Sequence, residues 1–297
     1  MDIQVLTQKF CDHSTFMRGY TEETIKRYKR VIGIYCRTFG ITELEQINET
    51  DLKQFFIDGR NHRKWKANTF ICYHKTLSVF MQWCKGEGLI EKNILDDIET
   101  PKLEKSLPPK LTKQDANKLL EVVFNYPYDY PYLRYRNHAI MSTFLLAGIR
   151  KKELMKLKLN DVDLENMTLF VRQGKGSKDR IIPMCYKLTD TLKRYLVERR
   201  RLNKTCPEFF TSLNRNVGFT DSGMKRLVVK MRKASGIKFS IHKLRHTFAT
   251  LMLEGGCDIY ALSKMMGHSD IKTTTIYLAA SAEHLRSQMT KHPLNDI

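Results

Sequence analysis

Apolar residues recur every three or four positions along most of the first 90 residues, which is the spacing of one face of an α-helix. In the clearest case Ile25, Tyr28 and Ile32 follow Thr21, a residue type that caps helix N-termini, and basic residues fill the opposite face. The segments with this pattern are 21–35, 48–57 and 67–85. We therefore expect a helical domain over residues 1–100.

The helical pattern breaks between Gly88 and Lys110, where prolines alternate with lysines and no apolar spacing persists. A proline disfavours the helical conformation in the residue before it, so this stretch is expected to be extended. The pattern predicts a basic linker over residues 101–110.

Residues 111–297 show a mixed pattern. Helical spacing predicts one helix over 111–123 and another that stops near Gly148. Residues 167–172 and 180–183 are typical of short strands, and the glycines between them suit a tight turn. The expected fold is therefore mainly α, with a small β-sheet in the second domain.

The charge balance points to a polyanionic partner. The chain has 51 lysines and arginines against 32 aspartates and glutamates, a formal net charge of +19. Such a surplus costs self-repulsion in the free protein, and nucleic acid is the first candidate for relieving it. An anionic membrane is the second, and a basic surface that serves solubility alone is the remaining interpretation.

Nothing in the hydrophobic pattern predicts a membrane span or a signal peptide. The longest apolar runs, around Phe144–Ala147, fall far short of the ~20 residues that cross a bilayer. The amino terminus lacks a basic region followed by an apolar stretch. The seven cysteines are scattered without a Cys-x-x-Cys pair, so we expect reduced thiols in a cytoplasmic protein and neither disulfides nor a zinc site.

Six residues of the second domain carry side chains suited to cutting a phosphodiester bond. Cleavage without a metal requires a nucleophile, cations that bind the phosphate oxygens, and an acid for the leaving oxygen. Arginine grips phosphate in two places, and lysine or histidine can supply the proton. In chain order the candidates are Arg150, Lys175, His242, Arg245, His268 and Tyr277.

The local setting of each candidate suits a phosphate, although each alone is a weak signal. Arg150 follows a helix end, with Glu153 on the same face three residues later. Lys175 lies between two glycines of the predicted turn. His242 and Arg245 lie near a helix N-terminus, where the helix dipole favours an anion.

Taken together, these residues and their flanking sequences resemble the tyrosine recombinase (phage integrase) family, and closely its Xer-like branch. The motifs that carry the resemblance are AGIRKKEL, GKGSKDR, HKLRHTFAT and MGHSDIKTTTIY. The helical first domain and the PKLEKSLPPKLT linker are also typical of that branch, so the resemblance spans nearly the whole chain. Departures are small: Met266 precedes Gly-His where leucine is common, and Leu278 follows the tyrosine where threonine is frequent.

The resemblance implies a role for each residue. Arg150 and Arg245 would hold the scissile phosphate, and Lys175 would protonate the leaving 5′-oxygen. Tyr277 would be the nucleophile that forms a 3′-phosphotyrosine. The remaining matched positions bind phosphate, handle protons or order the site: His242, His268 and Glu153. Because the phosphotyrosine conserves bond energy, no cofactor or metal is expected.

The family's assembly implies a two-domain clamp on double-stranded DNA with a specific core site. Recombination would proceed through a Holliday junction in a homo-tetramer on two sites, or a hetero-tetramer with a paralogue. The tail at 279–297, with Leu285 and Met289 as an apolar face, would dock on a neighbouring subunit, or else pack on its own domain. The basic residues expected to contact DNA are Arg27, Arg30, Arg63, Lys64, Lys66, Lys178 and Arg180.

Two alternatives remain open at the level of sequence. A type IB topoisomerase shares the chemistry but relaxes supercoils as a monomer, and the short first domain and the tail favour recombination over it. A DNA-binding regulator with an inactive catalytic fold is the other, and the presence of all six core residues argues against it. The sequence does not identify the DNA site, nor whether the reaction resolves chromosome dimers or moves a mobile element.

Overall fold

The structure is a computed structural model, and the chain divides into two compact units, Met1–Lys105 and Ser106–Ile297. The residues that it describes are 1–103, 108–172, 179–268 and 270–278. The predictions made for Lys175, Lys178 and the 279–297 tail therefore lie outside the described residues. In the parts of the chain that the structure describes, no helix combines the length and apolar character needed to cross a membrane.

The first unit is helical, and each of its four long helices contributes an aromatic side chain to a shared apolar core. Its helices are α1 (Ile3–Phe16), α2 (Glu22–Phe39), α3 (Glu49–Asn61) and α4 (Ala67–Gly86). Phe10, Tyr35, Phe55 and Phe80 come one from each helix, and all are fully buried in the shared core. The three helices expected from the apolar spacing are thus present, and α1 precedes them.

Residues 88–98 form no helix, yet part of this stretch belongs to the first unit. Leu95 and Ile98 are buried in the core of the helices. The carbonyl of Leu95 contacts the His74 ring nitrogen at 3.0 Å. The break in helical spacing at Gly88 therefore marks the end of α4, whereas the packed core of the first unit extends at least to Ile98.

The second unit is organised around α6, a helix that is buried on almost every side, as expected for an element at the centre of a domain. In the described part of this unit the helices are α5 (Lys113–Asn125), α6 (Pro131–Ala147), α7 (Lys151–Lys156), α8 (Tyr186–Arg201), α9 (Asp221–Ser235), α10 (Ile241–Glu254), α11 (Ile259–Met266) and α12 (Lys272–Leu278). Helices α5, α8 and α10 pack against α6.

A small antiparallel sheet lies beside these helices. Its strands, in sheet order, are β1 (Val162–Asp163), β2 (Thr168–Val171) and β3 (Arg180–Pro183). The register pairs Leu169 with Ile182, both fully buried, and Val171 with Arg180. Because side chains alternate along a strand, Arg180 shares the inward face with Ile182. Strands β2 and β3 confirm the predicted small sheet, and β1 adds a third strand of two residues.

Candidate active site

The link between α6 and α7 fixes Arg150. Helix α6 ends at Gly148, whose left-handed backbone (φ 58°) turns the chain sharply. A Cβ at this position would lie 2.1 Å from a ring carbon of Phe248, so the close approach of α10 requires glycine. The next residue, Ile149, is fully buried, and Arg150 then begins α7 as its N-cap residue. The tight turn at Gly148 and the buried side chain of Ile149 thus fix the position of the Arg150 backbone.

Glu153 binds two arginines at once. Its Oε1 accepts hydrogen bonds from Arg150 Nη1 at 2.8 Å and from Arg180 Nη1 at 2.9 Å. Its Oε2 accepts from the Arg150 backbone N–H at 2.8 Å and from Arg180 Nη2 at 2.7 Å. Burial would raise the pKa of this carboxyl, but the hydrogen bonds and charges of Arg180 and Arg150 outweigh it and hold the pKa at about 2.

Three arginines also converge on the C-terminal end of α11. Arg180 Nε donates to the Met265 carbonyl at 2.8 Å, Arg245 Nη2 to that of Met266 at 2.6 Å, and Arg150 Nη2 to that of Gly267 at 2.7 Å. The last carbonyls of a helix lack partners within the helix and lie at its negative end, so cations stabilise them. The guanidinium groups are thereby held next to the residue that follows, His268.

His268 lies against Arg245, with Nε2 3.2 Å from Arg245 Nη2 and Nδ1 2.7 Å from the hydroxyl of buried Thr274. A guanidinium only donates, so Nε2 is the acceptor and the Nδ1 proton goes to Thr274. Burial, followed by the positive charges of Arg245, Arg150 and Arg180, lowers the pKa of His268 to about 4. The ring is therefore neutral at physiological pH.

His242 and Arg245 begin α10 as predicted. The Ser240 hydroxyl caps the helix by accepting from the Lys243 backbone N–H at 3.1 Å. Arg245 is buried, and its Nη1 donates to the Gly148 carbonyl at 2.5 Å, whereas His242 is exposed near the helix N-terminus. Burial, and then the charge of Arg150, lowers the pKa of Arg245 to about 10, so the group stays charged at neutral pH.

Tyr277 lies in α12 with its side chain inside the protein, 2% exposed and packed in a small apolar cluster that includes Phe248, Leu262 and Met266. Its hydroxyl is 2.8 Å from Nδ1 of His246. Burial raises the pKa of Tyr277, and the charges of Arg245 and Arg150 offset part of that rise. The phenol is therefore protonated at neutral pH, and it lies close enough to both arginines for their charges to lower its pKa.

The structure brings five of the predicted residues into one site: Arg150, Glu153, Arg245, His268 and Tyr277. Arg180, expected to contact DNA, instead bonds to the protein through all three guanidinium nitrogens, with both Nη nitrogens on the Glu153 carboxylate and Nε on the Met265 carbonyl. His246, which the sequence interpretation passed over, joins the site through Tyr277. In the described residues, no three side chains of His, Cys, Asp or Glu are grouped as metal ligands.

The basic side chains predicted to contact DNA in the first unit are exposed. Arg27 and Arg30 lie on the solvent side of α2. Arg63 lies over the rings of Phe55 and Trp65, at 5.5 and 5.9 Å from their centroids, and is thereby oriented by aromatic contacts. Lys64 and Lys66, on either side of Trp65, are also exposed.

Comparison with known proteins places this architecture in a family. Residues 109–284 match the phage integrase family, and residues 6–91 match the N-terminal SAM-like domain of phage integrases. The chain is 32% identical to the tyrosine recombinase XerC of Thermodesulfovibrio yellowstonii, over 98% of this chain and 97% of that protein. It is also 32% identical to XerD of Listeria monocytogenes, over 92% and 93% of the two chains.

Solved structures share the fold. A complex of XerH with a palindromic difH substrate aligns with a TM-score of 0.73 at 21% identity, over 96% of this chain and 83% of that one. A lambda integrase fragment bound to a COC′ core site aligns with a TM-score of 0.73 at 20% identity, over 93% and 95%. The family match and the identity to XerC and XerD over nearly the full length show that the chain belongs to the phage integrase family, in its Xer-like branch of tyrosine recombinases.

Proposed function

We propose that the Tyr277 oxygen attacks a DNA phosphate held by Arg150 and Arg245. The chain is a site-specific recombinase that cleaves and rejoins DNA, as its relatives indicate, and neither a topoisomerase nor an inactive regulator is favoured. The observation that carries the assignment is the convergence of both arginines and His268 on one site beside Tyr277. Each Nη nitrogen bears two protons. Arg150 donates one bond to the protein through each Nη, and Arg245 donates one through Nη1, so a second proton on each of these nitrogens is available for a phosphate oxygen.

The proposed step forms a bond between Tyr277 Oη and phosphorus and breaks the bond from phosphorus to the 5′-oxygen. The products are a 3′-phosphotyrosine and a free 5′-hydroxyl, which takes its proton from Lys175 in the role implied by the family resemblance. The family resemblance implies phosphate binding or proton handling for His242 and His268. His242 would bind the phosphate beside the arginines, and His268, whose Nε2 accepts from Arg245 and whose Nδ1 contacts Thr274, would orient Arg245. A 5′-hydroxyl from the partner strand then attacks the phosphotyrosine, and the exchange passes through a Holliday junction.

The proposed partner is double-stranded DNA, and we propose that both units bind a specific core site in it. The XerH structure contains a palindromic difH substrate, and the lambda integrase structure contains a COC′ core site. We further propose a tetramer on two sites, with identical subunits or with a paralogue, and a tail at 279–297 that docks on the neighbouring subunit. The cytoplasmic location expected from the cysteines stays a prediction.

A phenylalanine at position 277 tests the nucleophile. The probe is a duplex selected from a random library by the wild-type protein, with a nick beside the cleavage position so that the adduct accumulates. We expect wild type to form a covalent protein–DNA species on a denaturing gel and Tyr277→Phe to form none, because the attacking oxygen is absent.

Tyr260→Phe is the matched control. Tyr260 lies in the same unit, is 59% exposed and has its ring near Lys264. It should form the adduct at the wild-type rate. Adduct formation by Tyr277→Phe, or its loss in Tyr260→Phe with Tyr277 intact, would contradict the assignment.

A further inference from the structure

We propose that His246 accepts the proton of Tyr277 as the tyrosine oxygen attacks phosphorus. This inference rests on the proposed function, in which Tyr277 is the nucleophile. His246 would then be a catalytic residue, because it touches the reacting oxygen itself.

The contact is built by two helices. His246 follows Arg245 on α10, and consecutive residues of a helix point about 100° apart. Arg245 therefore points toward the carbonyls of Gly148 and Met266, while His246 points toward α12. There its Nδ1 lies 2.8 Å from Tyr277 Oη, with ring centroids 5.6 Å apart. The distance is that of a direct hydrogen bond.

The surroundings keep the His246 ring neutral. The ionisable groups around it are His242 and Arg245 on its own helix, His268 in the segment after α11, and Tyr277 on α12. Burial lowers the pKa of His246 below its ordinary 6.5, and the charges of His242 and Arg245 lower it further. A neutral imidazole with its proton on Nε2 has a free lone pair on Nδ1, directed at the phenol.

Two other candidate bases near the site are already engaged. His268 contacts Arg245 through Nε2 and Thr274 through Nδ1. Glu153 accepts from two arginines and remains a weak base, with a pKa of about 2. Within residues 1–103, 108–172, 179–268 and 270–278, His246 is the basic group that lies at hydrogen-bond distance from the Tyr277 hydroxyl.

The proton transfer balances in both directions. As the bond from Oη to phosphorus forms, the phenol proton moves to Nδ1 and His246 becomes an imidazolium. When a 5′-hydroxyl attacks the phosphotyrosine, the bond from Oη to phosphorus breaks and the imidazolium returns the proton to Oη. Cleavage thus needs neutral His246, and rejoining needs the protonated ring, as microscopic reversibility requires.

The variant His246→Asn separates proton transfer from positioning. The asparagine amide reaches about as far as Nδ1 and can hold the tyrosine hydroxyl, but it does not take up a proton. We expect the single-turnover rate of adduct formation at neutral pH to fall by roughly 100-fold, in the range of a lost general base. The wild-type rate should rise with pH through the acid range and level off, whereas this acid limb should be absent from the variant.

His138→Asn is the matched control, since His138 is another largely buried histidine of the same unit, packed on Phe124, with its pKa lowered to about 4. This control should cleave at the wild-type rate with the wild-type pH profile. The reverse reaction gives a second readout: isolated covalent adducts supplied with a 5′-hydroxyl strand should rejoin faster at lower pH for wild type, but not for His246→Asn. Free imidazole should restore part of the cleavage lost in His246→Ala.

Several outcomes would overturn the inference. One is cleavage by His246→Asn within threefold of the wild-type rate. A second is an unchanged acid limb in that variant, which would show that a group other than His246 produces it. A third is the absence of rescue of folded His246→Ala by imidazole. Folding is checked by thermal unfolding and by binding to the selected duplex. Adduct formation by Tyr277→Phe would contradict the proposed function itself. If only the role of His246 is wrong, Tyr277→Phe still forms no adduct.

Discussion

At the residue scale, Glu153 is a buried carboxylate whose partners are two arginines of the site. Its carboxylate is 6% exposed and binds both Arg150 and Arg180, so each guanidinium group is held through the same buried anion. Two guanidinium groups this close repel each other, and the carboxylate between them offsets that repulsion. In the proposed function, Arg150 is thereby held in one orientation before the phosphate binds, which is the preorganisation that electrostatic catalysis needs.

Glu153→Gln should weaken the fold as well as the site. Removing one partner of a buried ion pair typically costs about 3–5 kcal/mol, because the remaining charge is left without compensation. The folded-state pKa of about 2 lies below the ordinary 4.5, so this stabilisation is present above pH 4.5 and is lost as the pH falls toward 2. Urea unfolding should therefore show a large difference between wild type and variant at pH 7 and a smaller one at pH 3.

Glu49→Gln is the control for this experiment. Glu49 pairs with Lys53 one turn later on α3, with both side chains substantially exposed. Such surface pairs contribute about 0.5 kcal/mol or less, so this variant should unfold almost as wild type does. A Glu153→Gln protein as stable as Glu49→Gln at pH 7 would show that the carboxylate does not hold the two arginines.

At the scale of elements, the regular ones could be predicted from the sequence because their signals are local. The helical spacing along α2 and α4 and the two strands β2 and β3 all appear where the pattern places them. Strand β1 has two residues, too few to show an alternation. Helix α1 carries Ile3, Leu6 and Phe10 at helical spacing, so its signal was present in the sequence and was not used.

The contacts of the site were harder to predict because they are tertiary. His246 and Tyr277 are 31 residues apart and meet through the packing of α10 on α12. No local pattern reports that distance, although the position of His246 beside Arg245 placed it near the site. For Arg180, the alternation along β3 indicated an inward-pointing side chain, since Arg180 shares a face of the strand with Ile182.

The turn at the end of α6 offers a test at this scale. Gly148→Ala puts a methyl group 2.1 Å from Phe248 and onto a left-handed backbone, and it lies beside the carbonyl that Arg245 binds. We expect a loss of stability and a strong loss of cleavage, because α10 must shift and Arg245 moves with it. Thermal unfolding and adduct formation on the nicked duplex measure the two effects.

Gly236→Ala separates the backbone effect from the clash. Gly236 ends α9 in the same left-handed conformation (φ 72°), but a Cβ there meets nothing within 4 Å. This variant should lose about 1 kcal/mol, the cost of a left-handed alanine, and keep its activity. If Gly148→Ala behaves like Gly236→Ala, the approach of Phe248 does not position the site.

At the scale of the whole molecule, the excess of positive charge gives the last prediction. A net charge of +19 implies that binding to DNA releases many counterions, so affinity should fall steeply as salt rises. Each lysine or arginine that neutralises a phosphate contributes about −0.9 to the slope of log affinity against log salt. Lys64 and Lys66 are exposed beside Trp65, and replacing both with glutamine should make the slope shallower by roughly 2 if each binds a phosphate.

The matched control for these lysines is Lys53→Gln, because Lys53 already pairs with Glu49 in the same unit. Its loss should leave the slope unchanged. Binding is measured by fluorescence anisotropy on the selected duplex and on a scrambled duplex from low to physiological salt. Phosphate contacts carry no sequence information, so the double lysine variant should weaken both duplexes equally. A slope that stays at the wild-type value would remove Lys64 and Lys66 from the DNA interface, and a flat wild-type slope would contradict electrostatic binding by the chain altogether.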